Sequence, residues 1–183
     1  MMRNTLPQTL PVHWQVNSLS RPRLRRHRRA SPLYRGFAGA GTLQALLTNL
    51  PDPGGNIALG GVMIRDGLAA NAAYVMVAQH PDNQVTFQYR TTAGGPTSGG
   101  TVFTGGTAEK RLQLSVASSG GSSTYSGSFS TNNTTFTSLG SVVLTLASPQ
   151  GGMAVTSSAS GTSATATCAP INRETNARSA AQR

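Results

Sequence analysis

The chain has 183 residues, of which 37% are hydrophobic and 11% are charged, and its formal net charge is +10. This length is sufficient for one domain with a hydrophobic core, and the abundance of Gly, Ser and Thr excludes a helical bundle and favours an all-β protein with many turns. No apolar run approaches the ~20 residues that a membrane-spanning helix needs, and the single cysteine, Cys168, excludes an internal disulfide.

The first segment, residues 1–35, is basic and has no sustained hydrophobic period. Eight arginines and no acidic residue lie in residues 1–36, whereas residues 37–170 carry four basic and four acidic side chains. The positive charge therefore belongs to the ends of the chain, and mainly to the run RPRLRRHRRA at 21–30. We predict that residues 1–35 form an irregular or disordered tail, and they contain no apolar stretch of roughly 7–15 residues typical of a signal peptide.

The next elements along the chain are short apolar runs with turn chemistry between them. TLQALLTNL (42–50) has the length of a strand, although its leucine spacing also allows a short helix. IALGGVMIR (57–65) and AAYVMVAQ (72–79) are near-continuous apolar runs of strand length. The stretches PDPGGN, DGLAAN and HPDN contain the Pro, Gly, Asn and Asp residues that are typical of turns, so three separate strands are expected here.

The strand predicted at VTFQYR (85–90) alternates between an apolar and a polar face. Val85, Phe87 and Tyr89 lie on one face, and Thr86, Gln88 and Arg90 lie on the other. This period of two indicates a half-buried strand. TTAGGPTSGG (91–100), which follows it, predicts a long flexible loop.

The remaining predicted elements are also strands. They are KRLQLSVA (110–117), TYSGSFS (124–130), FTSLGSVVLTLA (136–147), GGMAVTSSA (151–159) and SATATC (163–168). About eight short strands without a helical segment predict an all-β, antiparallel β-sandwich. Residues 169–183 are expected to form a disordered C-terminal tail.

Several of these stretches, in this order, resemble one family of β-sandwich domains. They are GAGTLQALLTNLPD (39–52), GGVMIRDGL (60–68), YVMVAQHPDNQVTFQYRTTAGG (74–95), STNNTTFTSLGS (130–141) and GMAVTSSASGTSATAT (152–167). On these motifs, residues 36–168 resemble the concanavalin A-like (laminin G-like) jelly-roll domains of secreted bacterial proteins. An Asp-Gly turn and a Trp are usual in that family where this chain has Asn132-Asn133 and Phe136.

The resemblance implies a jelly-roll β-sandwich over residues 36–168. It also implies a non-catalytic extracellular module that binds carbohydrate, or acts as an adhesion or spacer unit, within a larger multidomain secreted protein. Family members have further strands before this segment, and those strands pair with the final strand. Because residues 1–36 do not resemble them, we expect the sandwich to lack its N-terminal strands, and we hypothesise that one or both ends are out of frame in a gene fragment.

A polar row on the predicted sheet is the candidate site for a polysaccharide or glycan. Its residues are Arg65, Gln88 and Arg90, with Tyr74 and Asn83 at its edge. Exposed aromatic rings and a few polar groups are the usual means of binding a sugar. Arg65 can bind a polyol or a carboxylate with both arms of its guanidinium group. The simpler interpretation, which we favour, is that Arg65 holds the strand end through an ion pair or a loop carbonyl, while Asp66-Gly67 shapes the turn.

The acidic residues do not form the pattern of a glycoside hydrolase. Cleavage needs two carboxylates roughly 5–10 Å apart, whereas Asp52, Asp66, Asp82 and Glu109 are scattered over turns and a loop. No Ser or Cys is paired with a histidine in a recognisable nucleophilic arrangement. We expect a non-catalytic protein without a cofactor. A calcium site is a lesser alternative: calcium needs several oxygen ligands, and Asp82-Asn83 or Asp52 could supply some of them.

The basic run at 21–29 suggests a second class of function. It can bind phosphates or anionic lipid without specificity. Because it has no interleaved aromatic residues and no nucleic-acid-binding fold beside it, we predict no specific nucleic-acid partner. The third alternative is a structural module without a ligand.

Overall fold

A computed structural model describes residues 13–16, 34–55, 57–103, 109–119, 121–158, 163–169 and 172–174 of the chain. All regular secondary structure within these ranges is β-strand, and none of it is helix. The predicted all-β class is therefore confirmed.

The strands form two antiparallel sheets. In chain order they are β1 (His13–Val16), β2 (Tyr34–Gly36), β3 (Gly41–Asn49), β4 (Leu59–Asp66), β5 (Tyr74–Gln79), β6 (Val85–Arg90), β7 (Ser98–Phe103), β8 (Lys110–Ser119), β9 (Ser122–Ser130), β10 (Thr137–Leu144), β11 (Pro149–Thr156), β12 (Ala164–Cys168) and β13 (Asn172–Glu174). The first sheet has the order β1-β12-β3-β8-β9-β10, with β13 also paired to β3, and the second has the order β2-β11-β4-β5-β6-β7. The sheets pack as a sandwich, an arrangement consistent with a jelly-roll-like fold.

The core lies between the two sheets, and its residues follow the period of two that a strand imposes. In β3, Leu43, Ala45 and Leu47 are buried, while the residues between them are partly exposed. This alternation decides between the strand and the short helix that the leucine spacing allowed. The second sheet contributes Val62 and Ile64 of β4, among others, to the same core.

A close approach between the sheets occurs where Phe87 of β6 meets Gly127 of β9. Phe87 is buried, and a Cβ atom on Gly127 would overlap the Phe87 ring. Glycine is required here because the aromatic ring occupies the space that any side chain would take. This contact fixes the distance between the sheets behind the polar face of β6.

The predicted lack of strands before residue 36 is wrong for two segments. β1 pairs with β12, where His13 faces Thr167, and β2 pairs with β11, where Tyr34 faces Gly152. Strands therefore precede β3 and extend both sheets. The segment lacks a hydrophobic period because such short strands are held by backbone pairing to a neighbour and not by an amphipathic pattern of their own.

Two further predictions need correction. Asn172–Glu174 lies in the segment expected to be a disordered tail, but it forms β13 and pairs with Thr42–Gln44 of β3. The predicted loop at 91–100 ends earlier than expected, because β7 begins at Ser98 and pairs with β6. The rest of the predicted tails, including the basic run at 21–29, lies outside the described residues.

Candidate functional site

The Arg65-Asp66-Gly67 corner at the end of β4 is held by hydrogen bonds to two loops. An Nη2 N–H of Arg65 donates to the carbonyl oxygen of Ala69. The Asp66 carboxylate accepts a hydrogen bond of 2.6 Å from the backbone N–H of Ser148, and Gly67 N–H donates to the Ser148 carbonyl at 2.9 Å. Gly67 has φ +73°, a left-handed conformation that glycine adopts without a steric penalty. Asp66 and Gly67 therefore shape the turn, and one arm of the Arg65 guanidinium bonds to a loop carbonyl.

Arg65, Tyr74 and Arg90 lie side by side on the outer face of the second sheet. Arg65 is the register partner of Tyr74, and Tyr74 is the register partner of Arg90. Directly opposed residues of antiparallel strands point to the same side of a sheet. That side is the outer one, because the adjacent residues Ile64 and Val75 belong to the core. The fold thus brings together three residues that are distant in sequence.

Each of the two arginines contacts a tyrosine: Tyr74 lies in this row, and the ring of Tyr34 reaches the row from β2, across β11. The guanidinium carbon of Arg90 lies 5.2 Å from the ring centroid of Tyr74, and that of Arg65 lies 5.8 Å from the ring centroid of Tyr34. Both distances are within the range of a cation–π contact. We call the set Tyr34, Arg65, Tyr74 and Arg90 the arginine–tyrosine ladder.

Polar contacts around Tyr74 extend the ladder. Its hydroxyl group lies 3.0 Å from Thr97 Oγ1 and donates to Gln88 Oε1 at 3.4 Å. Arg90 Nη1 donates to the carbonyl oxygen of Ala72 at 3.5 Å. Gln88 is on the same face as Arg90, two residues earlier in β6, so its amide group borders the ladder.

The guanidinium groups of the ladder keep hydrogen-bonding capacity that the fold does not use. The Nε atoms of Arg65 and Arg90 are buried and have no hydrogen-bond partner in the described part of the chain. Neither guanidinium forms an ion pair with a carboxylate of the described residues. Burial raises the pKa of the Tyr34 phenol, and the charge and hydrogen bonding of Arg65 oppose that rise.

An apolar row runs beside the ladder on the same face. Met63 and Met76 are register partners on β4 and β5, and Gln88 follows Met76 on β6. The Tyr34 hydroxyl group donates to the sulfur of Met63 at 3.6 Å, which joins the two rows. The face therefore combines cationic, aromatic, amide and thioether groups within a short distance.

The structure separates Asn83 from the other four predicted site residues. It lies in the turn between β5 and β6, with φ +70°, and its N–H donates to the carbonyl of His80. This turn is at the opposite end of β6 from Arg90. Asn83 was expected at the edge of the row because it is close to Gln88 in sequence, but an extended strand carries the chain away from the turn.

Tyr34 and Thr97 also border this face, although neither could be predicted from the sequence. Tyr34 lies in the segment expected to be irregular, and Thr97 lies in the segment expected to be a flexible loop. Neither has a local signal, because each reaches the site through pairing or loop geometry.

Other reactive side chains lie away from this face. Lys110 is buried on the inner side of β8; burial lowers the pKa of its ammonium group, and the charge of Asp82 opposes this effect. Burial raises the pKa of the Cys168 thiol to about 12, so this thiol is protonated at neutral pH. Among the described residues, no three His, Cys, Asp or Glu side chains form a group that could hold a metal ion.

The first sheet borders an open cavity of about 290 Å³. Its lining consists of Leu46, Glu109, Ser130, Thr131 and Asn133. Asn133 Oδ1 accepts a hydrogen bond of 3.0 Å from Arg111 Nε, so part of its polar lining is already used. Glu109 is the only carboxylate among these lining residues, and the pair that glycoside cleavage needs is not assembled there.

Comparison with known proteins supports the fold and leaves the function open. No protein-family model matches the sequence, and no curated protein matches it. A solved structure of a functionally unknown protein from Saccharomyces cerevisiae is similar, with a TM-score of 0.56 and 14% identity over 77% of this chain and 71% of that chain. Such a likeness shows a shared β-sandwich fold. In the part of the chain covered by the structure, no helix is long and apolar enough to cross a membrane.

Proposed function

We propose that this chain is a non-catalytic carbohydrate-binding module of a larger secreted protein. Its ligand lies on the outer face of the second sheet, across the arginine–tyrosine ladder. The observation that carries the proposal is the convergence of Arg65, Tyr74, Gln88 and Arg90 on this one face. The concanavalin A-like resemblance of the sequence points to the same class of module and to an extracellular location.

The chemistry of this face suits a sugar chain. A pyranose ring has apolar C–H patches and a rim of hydroxyl groups, so it needs apolar surface together with directional polar groups. Met63, which is partly exposed, supplies apolar surface, and Gln88 and Thr97 supply an amide and a hydroxyl group. The guanidinium groups of the ladder add N–H donors in fixed positions.

The absence of an assembled carboxylate pair on this face, within the described residues, supports a binding role in preference to hydrolysis. Asp66 is the acidic residue nearest in sequence to the ladder, and its carboxylate is engaged by the Ser148 backbone N–H. Glycoside cleavage needs a second carboxylate across the scissile bond.

A glycan array tests the proposal with the full-length chain. We expect binding to at least one oligosaccharide, and we expect the Tyr74→Ala/Gln88→Ala double variant to weaken it by about tenfold, the effect of losing one or two hydrogen bonds to a ligand. The matched control is Gln44→Ala/Gln113→Ala, which removes amide groups from the outer face of the first sheet.

Two results would contradict the proposal in different ways. An array without any bound glycan would refute the carbohydrate-binding function. The second result is glycan binding that stays unchanged in a variant with Ala at Arg65, Tyr74, Asn83, Gln88 and Arg90. It would support the carbohydrate-binding function but refute the proposed site.

A further inference from the structure

The two arginines of the ladder are spaced regularly across the sheet. Arg65 on β4 and Arg90 on β6 are both register partners of Tyr74 on β5, so they lie in one row with one strand between them. Neighbouring strands are about 4.8 Å apart, which places the two arginine backbones roughly 9.6 Å apart. Arg65 leans over Tyr34, which reaches it from β2 across β11, and Arg90 leans over Tyr74 on the adjacent strand β5, so both guanidinium groups lie on the β2 side of their own strands.

Both guanidinium groups are held in place without an opposite charge. A tyrosine ring and a backbone carbonyl position each of them, Tyr34 and Ala69 for Arg65, and Tyr74 and Ala72 for Arg90. Carbonyl and ring contacts leave the positive charge uncompensated, and the two partly covered cations repel each other. A ligand with matching negative charge would relieve this cost.

We propose that the ligand on this face is an acidic polysaccharide whose carboxylates bind Arg65 and Arg90, an inference that rests on the proposed carbohydrate-binding function. In a 1,4-linked β-chain with a two-fold repeat, every second sugar presents its substituent on the same side. The distance between such substituents is close to two strand spacings. A planar carboxylate matches the two parallel N–H donors of a guanidinium fork.

The charge of the surrounding domain agrees with a local anion site. Residues 37–170 carry four basic and four acidic side chains, so the domain has no general positive field. Of those basic residues, Lys110 is buried and Arg111 is hydrogen-bonded on the first sheet. Arg65 and Arg90 are the remaining two, and they lie together on the candidate face.

The test compares two oligosaccharides that differ only in their carboxylates. The probes are β-1,4-linked glucuronate hexamers and the same hexamers after reduction of the carboxyl groups to alcohols. Calorimetric titration uses the full-length chain in which the six arginines of 21–29 are replaced by Gln, so that this basic run does not contribute. Deletion of residues 1–35 is unsuitable, because it would remove β1 and Tyr34.

We expect the acidic hexamer to bind at least tenfold more tightly than the reduced one. Arg65→Gln and Arg90→Gln should each weaken acidic binding by about tenfold, the size of a lost charge-assisted hydrogen bond. Arg65→Lys and Arg90→Lys should restore only part of it, because lysine keeps the charge and loses the fork. The control Arg111→Gln should leave the affinity unchanged.

The alternative outcomes separate the two proposals. Equal binding of both hexamers, still lost in Tyr74→Ala, would overturn the acidic ligand and keep the carbohydrate-binding function. Binding of no neutral or acidic glycan would overturn both. A sulfated dextran that binds more tightly than the glucuronate hexamer, with the same dependence on Arg65 and Arg90, would overturn the assignment to carboxylates.

Discussion

The outer faces of the two sheets carry similar side chains but use them differently. On the first sheet the polar groups bond to one another: Gln44 Nε2 donates to Gln113 Oε1 at 2.6 Å, and Gln113 Nε2 donates to Ser115 Oγ at 3.0 Å. Arg111 on the same face donates to Asn133 and to Gln44 at 3.0 and 3.4 Å. The first face therefore uses much of its hydrogen-bonding capacity within the fold.

On the second sheet the arginines are positioned but not neutralised. Arg65 and Arg90 stack on tyrosines, and their buried Nε atoms have no partner among the described residues. A polar network that is satisfied internally stabilises the fold, whereas one that is only partly satisfied costs stability. From this contrast we infer that the polar face of an alternating strand is a candidate site only when side chains on the neighbouring strands leave some of its hydrogen-bonding groups without partners.

The largest effect is expected where the two sheets are joined. Phe87→Ala should lower the free energy of unfolding by about 3–5 kcal/mol, because it empties the space between β6 and Gly127. Urea denaturation measures this loss. Val143→Ala, at a site with 63% exposure, is the control and should change stability by less than about 0.5 kcal/mol. Equal results for the two variants would mean that the sheets do not pack at Phe87, and the distinction between inner and outer faces would fail.

A smaller loss is expected at the corner that supports the ladder. Asp66→Ala removes the acceptor for the Ser148 N–H and should lower the free energy of unfolding by about 1–2 kcal/mol. Thr156→Ala is the comparison, since Thr156 Oγ1 accepts a hydrogen bond from the Ser158 N–H only two residues away. We expect a smaller loss there, because a local turn contact does not join distant strands. An equal loss for both in a urea titration would count against a structural role for the corner.

The contrast between the faces predicts different stability effects for two glutamines. Gln113→Ala breaks two hydrogen bonds on the first sheet and should cost about 1 kcal/mol. Gln88→Ala breaks a single long contact on the second sheet and should change stability by less than about 0.5 kcal/mol. Parallel thermal and urea denaturation of the two variants measures the difference. A larger cost for Gln88→Ala would reverse our interpretation of the two faces.

The smallest effect concerns pH and the buried Lys110. Burial lowers the pKa of the Lys110 ammonium group below the usual 10.5, and the charge of Asp82 opposes this effect. At a pH between the lowered pKa and 10.5, Lys110 is therefore protonated more in the unfolded chain than in the folded one. The contribution of Lys110 to the free energy of unfolding therefore rises with pH across this interval. As the pH rises towards 10.5, wild type should gain stability relative to Lys110→Met. Parallel curves, or a relative loss for wild type, would contradict the direction of this pKa shift.

The strands of the middle of the chain could be predicted because their signals are local. In 85–90 the alternation placed Phe87 and Tyr89 together on the core side, and both belong to the core or pack against it. The sequence of β8 alternates in the same way, and its Leu112 and Leu114 lie in the core. The alternation did not predict that Lys110 is buried on the same side as these leucines, since a lysine at a strand end is ordinarily exposed.

The candidate site could be predicted only in part. Arg65, Tyr74, Gln88 and Arg90 were chosen from their strands, and the fold brings them together. Asn83 was expected at the edge of this row but lies at the other end of β6, because closeness in sequence across a turn does not mean closeness on a sheet face. The carbohydrate-binding function and the concanavalin A-like assignment stay predictions.

The sequence by itself determined the all-β class, most strand positions of residues 42–168 and, where the pattern alternates as in β6, the side of the strand that enters the core. These depend on hydrophobic period and turn chemistry, which act over a few residues. Only the tertiary structure decided that β1, β2 and β13 pair with distant strands, and that Tyr34 joins the arginines of β4 and β6. Backbone pairing between remote segments depends little on side-chain pattern, so the order of strands in a sheet, and the face that they build together, follow from the whole fold.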